Sequence, residues 1–371
     1  MNNFTIALNM IVGSGDGQLL ERCLNAFKAK DIFDEIVIVL TSDDVGAEKV
    51  AHKFTKATNI YKYPWVSARY PFGSFAGARN LALQNTTSDY VMWLDCDDLP
   101  CIDFAETFIT IQQVLDKYDI FMIDYRLSEQ SSLATKRERV WRRIPTLFWY
   151  RAAHEELTID FSVHTHAYIG NLQVIHAPEK SLQVSADRNF NIIQHEYTVS
   201  ADSVNAFYYG RELILKDDEA GAALLQNLLD ERKLNHDVLA QICILLCDFY
   251  RKHDLPDRVI TYCRVGISLN ENYADFYINL AHCYECLGEI DKAISFYKQA
   301  LSCKFTGGGV FNISLYTFTP AMALVLIYTK RDEIEEALLM SKITLRHASH
   351  DQRQNVIDMR KELAQRILSN G

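Results

Sequence analysis

Three carboxylates follow a short apolar run in the stretch YVMWLDCDDLP, residues 90–100. The like charges of Asp95, Asp97 and Asp98 repel one another unless a cation lies between them. If the strand geometry of the apolar run continues, Asp95 and Asp97 project to the same side and both reach one ion. Mg²⁺ and Mn²⁺ prefer carboxylate oxygens, together with substrate phosphates. The stretch therefore predicts a Mn²⁺ or Mg²⁺ site, and the alternative is a solvated turn, in which aspartate is common.

A second group of ionisable residues occurs in RAAHEEL, residues 151–157. Transfer of a group to a hydroxyl or thiol needs a general base, and Glu155 or Glu156 suits that role. His154 is then a metal ligand or a contact to a diphosphate. The alternative is a helix start with exposed acids. A looser cluster of histidines ranks second as a metal site: His164, His166 and His176.

The stretch RERVWRR, residues 137–143, is a dense basic patch. It is either a solvated strand or loop face, or a clamp for phosphate groups that also helps to hold an acceptor. In the aromatic stretch that follows, we expect Phe148 to pack in the core. Trp149 and Tyr150 remain open between core packing and stacking on a sugar or a base.

The elements that must position these residues alternate between strand and helix. Predicted strands at 4–12, 35–40, 59–63 and 90–94 alternate with predicted helices at 19–28, 47–55 and 73–84. The nearly continuous apolar run EIVIVL is typical of a parallel strand covered on both faces. This order predicts an α/β layer with a mostly parallel sheet, in which ligands bind beyond the carboxyl ends of the strands. Asp95, Asp97 and Asp98 follow one such end.

The C-terminal part of the chain repeats. The segment ADFYINLAHCYECLGEIDKAISFYKQAL, residues 274–301, has the pattern of a two-helix tetratricopeptide unit. Its Tyr284 recurs as Tyr250, 34 residues earlier, and as Tyr328, 44 residues later, with the extra residues assigned to a loop around 307–309. We predict about three repeats over 236–349, a final helix from 352, and a weaker helical pair over 206–229 that leads into them. The predicted domains are therefore residues 1–200 and residues 201–371.

Composition excludes several classes of protein. The chain has 371 residues, of which 49% are hydrophobic and 23% charged, as in a soluble globular protein of two domains. Its net charge of −10 makes nucleic acid an unlikely partner, and no apolar run reaches the roughly 20 residues of a membrane-spanning helix. The N-terminus reads as a first strand and not as a signal peptide.

Nine scattered cysteines predict a reduced, cytoplasmic protein. Two close pairs are interpreted as small hydrophobes in helices: Cys243 with Cys247, and Cys283 with Cys286.

The N-terminal half resembles the family 2 glycosyltransferases of the GT-A fold. Five stretches carry the resemblance and follow one another in the order expected for that family: ALNMIVGSGDG, RCLNAF, DEIVIVLTSDD, FAGARNLAL and YVMWLDCDD. Further on, RERVWRR and WYRAAHEEL are similar to a segment of the branch that carries C-terminal tetratricopeptide repeats. That branch includes the peptide S-glycosyltransferases that modify bacteriocin precursors. The resemblance covers nearly the whole chain and implies a GT-A domain for nucleotide-diphospho-sugars followed by an all-α repeat domain.

The resemblance also implies roles for individual residues. Asp95 and Asp97 match the two acids of the DxD motif, with Asp97 as the direct metal ligand and Asp95 facing the ribose or the metal. Asp98 orients the donor sugar. Arg79 lies beside the diphosphate or the sugar, unless it is a surface arginine of its helix. Glu155, Asp98 and His154 are the predicted catalytic residues, and His154 is also a predicted metal ligand.

The loops after the first two strands, residues 12–16 and 41–44, are expected to hold the nucleotide. Their predicted contacts are Val12, Ser14, Ser42 and Asp44. Many relatives have an acid directly at the end of the second strand, where this chain has Leu40-Thr41-Ser42. The sequence therefore leaves the base of the nucleotide unidentified.

The implied function is the metal-dependent, inverting transfer of a hexose or N-acetylhexosamine from a UDP-sugar to a cysteine or serine side chain. The acceptor is a peptide or protein held by the repeats, which alternatively form the surface of a homodimer. Two other functions remain open. One is the same chemistry on a saccharide, lipid or nucleic acid, although no clear amphipathic or basic apolar stretch suggests a lipid. The other is a non-catalytic repeat scaffold with a decayed transferase domain.

Overall fold

A computed structural model of the chain describes residues 4–128, 133–178, 182–305 and 311–370. It divides into two compact units, Met1–Ala201 and Asp202–Gly371. The predicted loop around 307–309 lies outside the described residues.

The first unit contains a mixed sheet and six helices among its described residues. Its strands are β1 (Ile6–Val12), β2 (Glu35–Leu40), β3 (Ile60–Lys62), β4 (Tyr90–Leu94), β5 (Asp98–Pro100), β6 (Ile120–Arg126), β7 (Leu133–Arg142), β8 (Trp149–Tyr150), β9 (Glu156–Leu157) and β10 (His166–His176). Its helices are α1 (Gly17–Ala26), α2 (Ala29–Ile32), α3 (Val45–Phe54), α4 (Phe75–Gln84), α5 (Phe104–Gln112) and α6 (Leu182–Val199). Two short 3-10 helices, Ala57–Asn59 and Leu115–Lys117, complete it.

The strand order is β3-β2-β1-β4-β7-β6-β10-β5, and β8 and β9 form a separate hairpin. The four strands from β3 to β4 are parallel, as predicted. The strands beyond β4 are not predicted individually from the sequence, and they make the sheet mixed, because β7 runs antiparallel to both of its neighbours. The chain builds β2 and β3 on one side of β1 and then crosses to place β4 on the other side. Such a reversal opens a crevice beyond the carboxyl ends of β1 and β4.

The apolar runs of the central strands are explained by burial on both faces of the sheet. Leu8 and Met10 of β1 belong to the main core, which α1, α3 and α5 complete. Val37 and Val39 of β2 lie on the other face and pack against Ala78 of α4. Both sets of side chains are fully buried. This double burial fixes α4 against the sheet, with the arginine of the ARN stretch on it.

The second unit consists of helices that pack mainly on their neighbours in sequence. They are α7 (Ser203–Leu215), α8 (Glu219–Glu231), α9 (His236–Lys252), α10 (Pro256–Leu269), α11 (Ala274–Cys286), α12 (Ile290–Ser302), α13 (Phe318–Lys330), α14 (Ile334–His347) and α15 (His350–Asn370). A two-residue strand β11 (Phe311–Asn312) and a 3-10 helix (Ile313–Tyr316) precede α13. The expected all-α second region is confirmed, and α9 to α14 form the three predicted helical pairs.

The turn inside each helical pair follows one geometry. A backbone N–H donates to the carbonyl five positions earlier at 2.8–3.0 Å: Asp218 to Leu213, Leu255 to Tyr250, Glu289 to Tyr284, and Glu333 to Tyr328. The residue before each donor has a positive φ: Asp217 at 63°, Asp254 at 54°, Gly288 at 76° and Asp332 at 62°. Glycine and aspartate adopt this conformation more readily than most residues, which explains their presence at the helix ends. The shared turn makes α7–α8, the weaker predicted pair, a fourth hairpin of the same kind.

Gly266 of α10 lies where two helices touch. A Cβ atom at this position would lie 2.1 Å from Cζ of Phe276, a fully buried ring on α11. We expect Gly266→Ala to lower the free energy of unfolding of the helical unit by about 1–3 kcal/mol, because the ring must move within a packed core. Urea denaturation followed by far-UV circular dichroism checks this, with the exposed Ser268→Ala on the same helix as the control. Equal midpoints for the two variants would contradict it.

None of the described helices has both the length and the apolar composition needed to cross a membrane.

Candidate active site

The first acidic stretch forms a tight turn, not a continued strand. After β4 ends at Leu94, the N–H of Asp98 donates to the carbonyl of Asp95 at 3.1 Å. In the other direction, the N–H of Asp95 donates to Oδ2 of Asp98 at 2.9 Å. The expectation that Asp95 and Asp97 project to the same side as on a strand is therefore wrong. The turn sends the carboxylates of Asp95 and Asp97 to different partners.

Asp95 is joined to Glu155 through one arginine. The Nη2 of Arg79 donates to Oδ1 of Asp95, and its Nε donates to Oε1 of Glu155, both at 2.7 Å. Burial opposes the charge of each group, but the ion pairs outweigh burial, so the pKa of Arg79 is raised and that of Asp95 is lowered. Arg79 of α4 thus links the end of β4 to the β8–β9 hairpin, whose Glu155 lies 76 positions after Arg79 in the chain.

The surroundings of Arg79 exclude the alternative of a surface arginine. Its side chain is 5% exposed, and its guanidinium carbon lies 4.2 Å from the ring centroid of Trp93 and 5.2 Å from that of Trp149. Two flat rings restrict the rotation of the guanidinium plane. The neighbouring Asn80 donates to the carbonyl of Trp149 at 2.7 Å and accepts from its N–H at 2.8 Å. The ARN stretch therefore holds both the hairpin and the two carboxylates.

Asp98 lies beneath the turn and is completely buried. Its Oδ2 accepts a hydrogen bond from Nη1 of Arg139 at 2.9 Å, and both side chains are 0% exposed. Burial raises the pKa of the Asp98 carboxyl, and the charge of Arg139 acts against that shift. Arg139 is packed 3.8 Å from the ring centroid of Trp93 and 4.2 Å from that of Tyr125. Within the described residues Oδ1 of Asp98 has no hydrogen-bond partner.

Asp97 faces a histidine. Its Oδ1 lies 3.4 Å from Nδ1 of His176, which ends β10 opposite Asp98 in the sheet register. Burial lowers the pKa of His176, but the neighbouring Asp97 outweighs it, so the net shift is upward. Asp97, Asp98 and His176 each offer one ligand atom, and these atoms lie within 4.8 Å of one another. In the described ranges no other group of three or more histidine, cysteine or acidic residues has that geometry.

The histidine predictions differ in outcome. His154 has a left-handed backbone, with φ of 51°, in the β8–β9 loop and is not part of the Asp97–Asp98–His176 group. His164 lies beside the carbonyl of Asp160, with Nδ1 at 2.9 Å. His166 packs its ring edge-on against Phe161. The role of His154 as a ligand or diphosphate contact remains a prediction, whereas His176, ranked second from sequence, lies among the acids.

The two loops predicted to hold the nucleotide are tied together. Oδ2 of Asp44 accepts from the N–H of Gly15 at 2.6 Å, while its Oδ1 accepts from the N–H of Gly46 at the start of α3. The carbonyl of Val12, whose side chain is buried, accepts from the N–H of Thr41 at 2.9 Å. Ser14 is exposed and Ser42 is half-buried. The four predicted contacts thus lie at the adjoining ends of β1 and β2, and their contact with a nucleotide remains a prediction.

The basic stretch is partly solvated, since Arg143 is exposed and Arg139 is fully buried. Arg139 is buried on Asp98, and Arg143 donates to the carbonyls of Ser88 and Thr87. Arg142 donates to the hydroxyl of Tyr90.

The prediction that Phe148 packs in the core is wrong, because its side chain is 49% exposed. The side chain of the neighbouring Trp149 is 3% exposed and packs in the core instead.

Two functional candidates were missed from sequence. From the sequence Arg139 belongs to a basic patch, and its inward direction depends on an irregularity of β7, where the register shifts from Val140 to Glu138 across Arg139. The helix α6 and its Arg188 attracted no prediction, because a single arginine in an amphipathic pattern has no distinguishing sequence signal. Both arginines are placed near the acids by contacts between elements distant in sequence.

Part of the chain is similar in sequence to known proteins. Residues 14–176 match the model of the family described as glycosyl transferase family 2. The SPbeta prophage-derived glycosyltransferase SunS of Bacillus subtilis (strain 168) and the glycosyltransferase SunS of Bacillus phage SPbeta are each 25% identical to the chain over 265 residues. These alignments cover 65% of this chain, and the chain spans 58% of the length of each relative.

Two solved structures resemble part of the chain. The crystal structure of MamA is 19% identical with a TM-score of 0.35, and covers 44% of this chain and 83% of that one. The crystal structure of TTC0263, a thermophilic TPR protein in Thermus thermophilus, is 19% identical with a TM-score of 0.32, and covers 50% of this chain and 92% of that one.

Proposed function

We propose, from the family 2 glycosyltransferase domain that residues 14–176 form, that the chain is a metal-dependent, inverting glycosyltransferase. It moves a hexose or N-acetylhexosamine from a UDP-sugar to a cysteine or serine side chain of a peptide or protein. The observation that supports this best is the arrangement beyond the carboxyl end of β4. There, Asp97 faces His176, and Asp95 is joined through Arg79 to Glu155. A cation site and a candidate base thus flank one crevice.

The residues of this crevice suit Mn²⁺ or Mg²⁺. Two carboxylates and one imidazole converge there, and Oδ1 of Asp98 is buried without a hydrogen-bond partner among the described residues. Oxygen-rich sets with room for substrate phosphates are typical of these ions. Asp97, Asp98 and His176 would hold the ion, and the sequence-based alternatives for its ligands are Asp95 and His154. When bound, such an ion neutralises charge on the leaving diphosphate.

The protein's own residues position the donor and take a proton. Glu155 removes the proton of the acceptor thiol or hydroxyl as that atom attacks the anomeric carbon. The bond from the anomeric carbon to the diphosphate breaks, its electron pair leaves with UDP, and the new bond forms on the opposite face of the sugar. Arg79 fixes the direction of the Glu155 carboxylate, since Oε1 accepts from its Nε. Asp95 faces the ribose, and Asp98, buried on Arg139, stabilises the turn that carries Asp97.

The acceptor and the location of the protein complete the proposal. Hairpins of the kind formed by α7 to α14 stack into surfaces suited to an extended peptide, and their alternative role is to form a homodimer. A cytoplasmic location agrees with nine free cysteines, six of which are buried: Cys23, Cys96, Cys243, Cys247, Cys263 and Cys283. A nucleic acid acceptor ranks lower, because Arg142 and Arg143 of the basic stretch that suggested it donate to protein oxygens.

Isothermal titration with a panel of nucleotide-sugars, each with and without Mn²⁺, tests the proposal. We expect one UDP-sugar to bind only with the metal present. Asp97→Ala should weaken that binding by at least about 100-fold, as expected for loss of a hard-ion ligand. No binding of any nucleotide by the wild-type protein would favour a scaffold whose transferase domain has decayed.

A pair of histidine variants tests which imidazole binds the metal. We expect His176→Ala to weaken Mn²⁺ binding by about 10–100-fold, because His176 lies within ligand distance of Asp97 and Asp98. His154→Ala is the matched comparison, and we expect it to change Mn²⁺ affinity less than threefold, within roughly 0.6 kcal/mol. Titration of Mn²⁺, followed by electron paramagnetic resonance of the free ion, measures both. The reverse order would assign the ligand to His154.

A further inference from the structure

Helix α6 is anchored on the two segments that flank the crevice. Oε1 of Glu196 accepts a hydrogen bond from the N–H of Ala152 in the β8–β9 loop at 2.9 Å. The ring of His195 packs edge-on against Phe72, with centroids 5.9 Å apart. One face of α6 is therefore held against the hairpin that bears Glu155 and against the segment that leads into α4.

Arg188, on this helix, extends towards the acids. Its guanidinium carbon lies 4.8 Å from the ring centroid of Phe75, the first residue of α4. Its charge interacts with four carboxylates from three segments of the chain: Asp16, Glu155, and the Asp95 and Asp97 of one turn. The surrounding protein lowers the pKa of Arg188 by desolvation, and these four carboxylates favour its charged form. An arginine nevertheless keeps its proton at neutral pH.

Unlike Arg79 and Arg139, Arg188 makes no ion pair with a carboxylate of the described residues. Arg79 is held by Asp95 and Glu155 at 2.7 Å, and Arg139 is held by Asp98 at 2.9 Å. In the part of the chain that the structure describes, the side chain of Arg188 makes one hydrogen bond, at 3.3 Å to Oδ1 of the adjacent Asn189. It also remains open to solvent. Its donors are thus available to a ligand that enters the crevice.

The ligand chemistry follows from charge. A cluster of carboxylates repels an anionic ligand unless cations lie between them, and a diphosphate carries several negative oxygens. The planar guanidinium matches two phosphate oxygens at once, which a point charge does not. Stacking on Phe75 reduces the conformational entropy that Arg188 loses when it binds.

We propose that Arg188 is the cation that binds the β-phosphate of the nucleoside diphosphate. This inference deepens the proposed glycosyltransferase function and rests on it. Helix α6 then takes a direct part in binding the donor and in stabilising the released diphosphate. This helix lies outside residues 14–176, the segment that matches the family. Arg79, held between two carboxylates, then orients side chains and does not bind phosphate.

Titration calorimetry in Mn²⁺ with UDP, GDP, ADP and CDP, and with the monophosphate of whichever nucleotide binds, tests this inference. We expect Arg188→Ala to weaken diphosphate binding by about 10–100-fold, the range for loss of a hydrogen-bonded charge contact. The matching monophosphate should bind within about twofold of wild type, because it lacks the β-phosphate. Arg188→Lys should recover only part of the loss. Arg353→Ala, on the exposed face of α15, is the matched control.

The outcomes separate the inference from the function on which it rests. Equal loss for the diphosphate and the monophosphate would overturn the β-phosphate assignment, because it would indicate general damage to the site. Wild-type diphosphate affinity in Arg188→Ala would overturn it as well, while leaving the transferase proposal intact. Failure of every nucleotide to bind the wild-type protein would overturn both.

Discussion

Arg139→Met is expected to lower the free energy of unfolding of the N-terminal unit by about 3–5 kcal/mol, because it leaves the carboxylate of Asp98 buried without a counter-charge. Both side chains are 0% exposed and their charged atoms lie 2.9 Å apart. Methionine fills a similar volume, so the lost charge causes most of the effect. All four tryptophans lie in this unit, at 65, 93, 141 and 149, so the midpoint of urea denaturation followed by tryptophan fluorescence reports it.

Arg137→Met is the matched control for this prediction. Arg137 lies two residues earlier on β7 and approaches the same Trp93 ring, at 5.2 Å, but its side chain is 30% exposed. We expect a loss of about 1 kcal/mol or less, as is usual for partly solvated ion pairs. Adding Asp98→Asn to Arg139→Met should recover part of the lost stability, because it removes the unpaired charge. Equal destabilisation by the two arginine variants would show that Arg139 acts through packing alone.

Glu155→Gln is expected to lower the rate of glycosyl transfer by about 10²–10⁴-fold, the usual contribution of a general base. The amide oxygen of glutamine can still accept the hydrogen bond that Arg79 donates at 2.7 Å, so the variant removes the base with little change in architecture. UDP release from the bound UDP-sugar, in the presence of cysteine- and serine-containing peptides, measures the rate. The affinity for that UDP-sugar should change less than threefold, within roughly 0.6 kcal/mol.

Glu156→Gln is the control, since the sequence left the choice between Glu155 and Glu156 open. Glu156 accepts a hydrogen bond from the hydroxyl of Tyr150 at 2.5 Å, across the β8–β9 hairpin. We expect its variant to keep transfer within about tenfold of wild type, because Glu156 is engaged in the hairpin and not with Arg79. A larger loss in Glu156→Gln than in Glu155→Gln would assign the base to Glu156.

Much of the fold was predictable because it depends on periodic burial. The alternation of apolar runs and helical patterns placed β2 at Glu35–Leu40 and β4 at Tyr90–Leu94 with the bounds that the structure has. The recurrence of Tyr284 as Tyr250 and Tyr328 located the helical pairs. The strands beyond β4 were not predicted, and an apolar run carries no signal for the antiparallel pairing that β7 adopts.

The site was predictable in its residue types but not in its pairings. The sequence by itself determined that carboxylates follow a buried strand and that an arginine and a histidine–glutamate pair occur further along the chain. Only the tertiary structure decided that Asp95 pairs with Arg79, that Asp97 faces His176 and that Asp98 is buried on Arg139. The reason is physical. Local pattern follows from which side chains leave water, whereas a charged side chain finds its partner only where the sheet register and a tight turn bring distant elements together.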